Sequence, residues 1–204
     1  MPLLVLALVG FLVLPIGVTA PIPAEAAQDA LVQGTVSALV APASGVRPEE
    51  APMSLTVKLT AYNAVPGQTD NTPFITAIGA FSNPEVVAAR SRDLASVLPY
   101  GTIIKIERTG YDTPSCRFSQ VKPQIGYRVI ADAMNPRITN TVDVLLDQHK
   151  QVWVDGRMVN PALAVGRCSE VSVTVVGHTN IASIPSSQTE LAALVDGTDH
   201  LAER

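Results

Sequence analysis

Between residues 55 and 177 apolar residues gather in six short runs rich in β-branched side chains, and several of these alternate with polar positions at a period of two. The runs are Leu55–Tyr62, Val86–Ala89, Thr102–Glu107, Tyr127–Asp132, Thr141–Leu146 and Glu170–Gly177. In the last of them Val171, Val173 and Val175 alternate with Ser172 and Thr174. Turn formers separate the runs: Pro66-Gly67, Pro99-Tyr100-Gly101, Asn135-Pro136 and Asp155-Gly156. Only Arg92–Val97 and Ala162–Val165 have helical character, and both are short. Six strands with few helices predict an all-β domain, a small barrel that leaves no edge to protect.

Both flanks differ from this pattern. Residues 27–54 are rich in Ala, Pro, Ser and Gly without sustained periodicity, which predicts a linker or weakly ordered arm. Residues 178–204 turn polar and read as a tail, with one or two helical turns at Glu190–Val195. Residues 2–18 are an almost unbroken apolar run, followed by the small-x-small sequence Ala24-Glu25-Ala26. Residues 1–26 therefore predict a signal peptide and an exported, periplasmic or extracellular protein. The first basic residue is Arg47, so the usual positive leader is missing. An upstream start, or retention of residues 2–18 as a membrane tether, accommodates that. No cysteine directly follows the run, which argues against a lipoprotein anchor.

Composition narrows the classes. With 47% hydrophobic and 16% charged residues the chain can bury a core. Its net charge of −4 provides no electrostatic footprint for nucleic acid. The two cysteines, Cys116 and Cys168, form an even pair that predicts a disulfide in an exported chain, the alternative being a catalytic thiol. His149, His178 and His200 have no metal-ligand spacing, and there is no nucleophile elbow or phosphate-cradling loop. No cofactor and no metal are expected, and a monomer is.

Three aspartates carry the candidate chemistry. Asp143 interrupts the apolar run Thr141–Leu146; alternation places Val142, Val144 and Leu146 on one face and Asp143 with Thr141 and Leu145 on the other. Asp132 closes Tyr127–Asp132 where the chain enters Ala133-Met134-Asn135-Pro136, and Asp93 opens a helical segment. Each has a plain structural alternative: a helix cap for Asp93, an Asx turn for Asp132, a solvated strand position for Asp143. Taken alone they point no further than acid–base chemistry. Trp153 and Tyr100 could stack on a sugar, although ordinary packing is the simpler role for a lone aromatic.

Several segments together resemble a known family. Leu59-Thr60-Ala61-Tyr62, Thr76-Ala77-Ile78-Gly79 and Val86-Val87-Ala88-Ala89 resemble the opening of the 3D domain, named for its three aspartates. Leu98-Pro99-Tyr100-Gly101-Thr102 is similar to its proline-x-glycine-threonine turn. Tyr127–Asp132 and Asn140–Leu145 resemble its second and third aspartate strands, and Ala164-Val165-Gly166-Arg167 with Val171–Val176 its closing segment. The likeness covers residues 55–177, and the eleven-residue offset from Asp132 to Asp143 is similar to that in the membrane-bound lytic transglycosylase A family. The chain departs from the pattern at Ala133-Met134-Asn135-Pro136, where the family has glycines, and in apparent insertions at 108–126 and 147–161.

The resemblance implies a six-stranded double-psi β-barrel that cleaves peptidoglycan outside the cytoplasm. It implies Asp143 as catalytic acid/base, Asp132 as its acidic neighbour and Asp93 as the first aspartate, with Thr76 and Tyr62 as substrate-binding groups. A lytic transglycosylase needs one acid: it protonates the glycosidic oxygen, then takes a proton from the sugar's own 6-hydroxyl. Inverting hydrolysis by Asp143 and Asp132 is the alternative enzyme reading. A non-catalytic glycan-binding barrel and a membrane-tethered structural protein are the alternatives outside catalysis.

Overall fold

The structure, a computed structural model, describes residues 52–69 and 71–202, with side chains to residue 197. The expected signal segment and all but the last residues of the expected linker lie outside the described residues. No helix among the described residues is long and apolar enough to cross a membrane.

The six apolar runs become the six strands of one closed barrel, with ends displaced by no more than two residues. They are β1 (Ser54–Tyr62), β2 (Val87–Arg90), β3 (Thr102–Glu107), β4 (Tyr127–Ala133), β5 (Thr141–Leu145) and β8 (Cys168–His178). Around the barrel the order is β1-β5-β2-β4-β3-β8, closing back on β1. The β1–β5 and β2–β4 pairs are parallel, and the other four neighbours are antiparallel. Exchanging the first three barrel strands with the last three maps this pairing pattern onto itself, directions included.

Alternation sorts the side chains as the pleat requires. Val57, Leu59, Ala88, Ile104, Ile130, Val142, Val144, Val171 and Val173 belong to one buried cluster. The opposite faces of the same strands supply Tyr62, Val87, Ala89, Ile103, Val129, Ala131 and Leu145 to a second. Burial on both faces explains why β2 and β4 are nearly continuous apolar runs rather than alternating ones.

The second cluster is completed by a segment expected to be tail. Residues Gln188–Ala202 form a helix, α3, and bury Leu191 and Val195, four residues apart on one face. The polar stretch that precedes it hid this amphipathic stripe. Two further elements lie in the apparent insertions. Helix α1 (Phe118–Ile125) buries Phe118, Val121 and Ile125 at helical spacing despite Pro123 inside it. Strands β6 (Val152–Val154) and β7 (Arg157–Val159) form a hairpin around Asp155-Gly156, both at positive φ (49° and 83°). Helix α2 (Pro161–Val165) is capped by Asn160, whose side chain accepts from the Ala162 N–H. The expected helix at Arg92–Val97 is only a 3-10 turn, Arg92–Leu94.

Cys116 and Cys168 are disulfide-bonded, which joins the segment before α1 to the start of β8 and removes the catalytic-thiol alternative. Closing a loop across 52 positions constrains the unfolded chain by about 4 kcal/mol. At the β3 entrance Gly101 has φ 90°, and a Cβ there would lie 2.3 Å from the Thr179 carbonyl oxygen, so this turn needs glycine. Arg128 is fully buried, and its guanidinium donates to the carbonyls of Pro84 (2.7 Å), Leu145 (3.1 Å), Ile125 and Gln124. It thereby ties β5, α1 and the loop before β2 to β4, and burial lowers its pKa to about 9.

Candidate active site

One row of residues crosses four adjacent strands. Thr60 on β1 pairs with Asp143 on β5, Asp143 with Ala89 on β2, and Ala89 with Asp132 on β4. Directly paired residues project to the same face of a sheet. The two aspartates therefore flank the smallest side chain of the row, Ala89. All three line one groove of about 440 Å³, together with Tyr62, Met134 and Ile138.

Asp132 reaches this face because β4 is irregular. Ala88 pairs with Ile130 but Ala89 pairs with Asp132, so Ala131 is an extra residue. In a regular strand Asp132 would share the face of Ile130, which is packed in the first, inner cluster. The bulge carries it to the face of Ala89 and Asp143 instead, a common use of bulges beside functional sites.

The carboxyl groups differ in surroundings. Asp132 Oδ1 accepts the Ala77 N–H (2.9 Å) and the Ala133 N–H (2.8 Å), while Oδ2 accepts the Tyr62 hydroxyl (2.9 Å). Three donors converge on it, an arrangement suited to a carboxylate. Among the described residues Asp143 receives one hydrogen bond, from the Thr60 hydroxyl to Oδ1 at 2.7 Å. Burial pushes its pKa up to about 6; the Thr60 bond opposes this and the Asp132 charge adds to it. The Tyr62 hydroxyl is held far above its usual range, first by burial and then by the charge and hydrogen bond of Asp132. The groove thus holds one firmly fixed acceptor and one carboxyl group that keeps its proton up to about pH 6, well above the ordinary aspartate range.

Of the five residues expected at the site, Asp143, Asp132 and Tyr62 come together. Asp93 does not line the groove. It is exposed, and its Oδ2 accepts the Asn140 N–H at 2.9 Å, while Ser91 Oγ accepts the Thr141 N–H at 3.1 Å. Hydrogen bonds from Ser91 and then Asn140 hold its pKa below the usual range. Asp93 thus anchors the start of β5, two residues after which Asp143 follows. Thr76 is buried and its hydroxyl accepts the Ala80 N–H at 3.1 Å. It does not line the groove; its hydrogen bond lies within the loop that presents the Ala77 N–H to Asp132.

Neither aromatic candidate lines the groove. Trp153 is exposed on β6, and the ring of Tyr100 lies 4.6 Å below the Arg90 guanidinium. Sequence reasoning missed Thr60 as the partner of Asp143, Ala89 as the spacer and the Ala77 N–H as a donor; the pairing register reveals the first two and the hydrogen bond from the loop the third. A larger, mainly apolar depression of about 670 Å³ between β3, α1 and α3 lies away from both aspartates. Among the described residues no group of three or more His, Cys, Asp and Glu is placed to hold a metal.

No protein-family model matches the chain, and no curated protein matches it in sequence. What the protein does has to follow from the groove itself.

Proposed function

We propose that this protein is an exported enzyme that cuts peptidoglycan glycan strands, with Asp143 as its acid, on a double-psi barrel of the three-aspartate kind. The observation that carries the reading is the carboxyl group of Asp143, raised to about 6 in a groove beside Asp132 and its three hydrogen-bond donors. The pairing pattern, unchanged when the two halves of the barrel are exchanged, supports the double-psi topology. The disulfide supports an oxidising compartment outside the cytoplasm.

In this reading the Asp143 carboxyl donates its proton to the glycosidic oxygen as the bond from C1 of the N-acetylmuramoyl residue to O4 of the N-acetylglucosaminyl residue breaks. Positive charge develops at the ring, and the Asp132 carboxylate faces it. Asp143, now a carboxylate, removes the proton of the sugar's 6-hydroxyl, and O6 closes on C1 to give the 1,6-anhydro end. Asp143 finishes reprotonated, and no water is consumed. Activity falls as pH rises through about 6, where Asp143 loses the proton it must donate.

The placement of the two aspartates on either side of β2 favours a second reading. Their backbones lie two strand spacings apart, roughly 9–10 Å, and carboxyl groups reaching from them to within the inverting range would admit a water and hydrolysis with inversion. The three donors that occupy Asp132 weigh against its serving as the base, so the lyase is preferred. Incubating purified sacculi with the protein and analysing the released fragments by mass spectrometry separates the cases. Anhydro ends support the lyase and reducing ends the hydrolase. Bound but uncut strands would make the barrel a glycan-binding module.

A further inference from the structure

A second pocket, of about 490 Å³, adjoins the groove of the two aspartates. Met134 and Ile138 line both. Thr60 lines the second pocket while its hydroxyl donates to Asp143, so one side chain separates this pocket from the candidate acid. Three cations line it, each from a different segment. Lys58 stands on β1 two residues before Thr60, Arg137 lies in the loop between β4 and β5, and Arg167 immediately precedes Cys168 at the start of β8.

The charge pattern there is one-sided. No Asp or Glu lines the pocket; the remaining lining includes the hydroxyl residues Thr139, Thr141 and Ser169. The ion pairs among the described residues are Lys105–Glu107 and Arg117–Asp155, so no described carboxylate pairs with any of the three cations. Lys58 also favours the ionised form of Asp93, as the last of the causes that lower its pKa. In a chain with a net charge of −4, three unpaired cations around one concavity form a local field that attracts anions. Two of them are guanidinium groups, whose planar donors match the two oxygens of a carboxylate.

We propose that this pocket is a subsite for a carboxylate carried on the sugar bound at Asp143, or on a branch of that sugar. The proposal rests on the glycan-cleaving reading for the identity of the ligand and extends it: the substrate is an acidic strand, and neutral strands of the same sugars are poor ligands. In peptidoglycan the carboxylate has two sources, the lactyl group of a peptide-free strand and the carboxyl groups of an attached peptide. Either would sit beside the glycosidic bond at Asp143, held by Lys58, Arg137 and Arg167 while Thr60 orients the acid.

The test uses equilibrium binding, so turnover is not needed. Calorimetry measures the affinity of the Asp143→Asn protein for peptide-free muramoyl oligosaccharides, for the same oligosaccharides with carboxyl groups amidated, and for peptide-bearing fragments. A second protein adds Lys58→Gln, Arg137→Gln and Arg167→Gln, and circular dichroism checks that it is folded. The expected result is an affinity for acidic ligands about tenfold above that for amidated ones, lost in the second protein and reduced by salt. Tighter binding of peptide-free oligosaccharides assigns the lactyl carboxylate, and tighter binding of peptide-bearing fragments assigns the peptide. Equal affinity for acidic and amidated ligands, or an affinity unchanged by the three replacements, overturns the subsite. Sacculi left uncut by the wild-type protein, with acid-selective binding intact, would sink the cleavage reading and leave the subsite standing.

Discussion

Replacing Asp143 by asparagine should remove activity and also make the protein more stable at neutral pH. In the folded chain the carboxyl group titrates at about 6 rather than 3.8, so between these values the native state holds more protons than the unfolded state. Stability therefore declines as pH rises across that window, and above it the ionised side chain burdens the fold. The difference corresponds to about 3 kcal/mol at most. Asparagine has nearly the same shape, does not ionise, and its carbonyl can still accept the Thr60 hydroxyl. Urea unfolding of both proteins at pH 4 and pH 8, disulfide intact, measures the change in their stability gap, in which any constant offset between the side chains cancels. The gap should move by up to about 3 kcal/mol in favour of the asparagine form between the two pH values. A gap that stays flat would refute the desolvation argument, and with it the case for Asp143 as an acid.

Ala89→Leu places a branched side chain between the two aspartates, and sacculus cleavage should fall at least roughly 100-fold. The variant should keep its circular dichroism spectrum, with an unfolding cost of about 1–3 kcal/mol for the added volume. Tyr62→Phe removes the 2.9 Å hydrogen bond to Asp132 and should slow fragment release about tenfold or more; an unchanged rate would separate Tyr62 from the chemistry. Replacing both Cys116 and Cys168 by serine should lower stability by about 4 kcal/mol in denaturant titrations, close to the effect of a reductant on the wild-type protein.

The barrel was legible because its strands obey a simple rule. The alternation in β8 and the isolated aspartate within β5 follow from a period of two, which survives any tertiary setting that buries one face. The bulge at Ala131 was not legible. Nothing local marks an extra residue, yet it alone moves Asp132 from the inner face to the groove. Pro123 masked α1, and a short stripe of two buried residues in a polar segment masked α3. Thr76 is buried in the loop whose next residue, Ala77, donates its backbone N–H to Asp132, a contact that no residue type announces. Asp93 shows how an acidic residue at a turn organises the backbone of a strand, here through the Asn140 N–H that leads into β5. The convergence of Lys58, Arg137 and Arg167 depends on strand order, which no window of sequence contains.

The most direct measurement is a carbon-13 NMR titration of the aspartate side-chain carboxyl groups, with the Asp143 signal assigned by its loss in the asparagine variant. The wild-type signal should show a midpoint close to 6, and Asp132→Asn should move that midpoint down, because a neighbouring negative charge is removed. A midpoint near 4 in both proteins would contradict the claim that this groove keeps a proton ready for transfer.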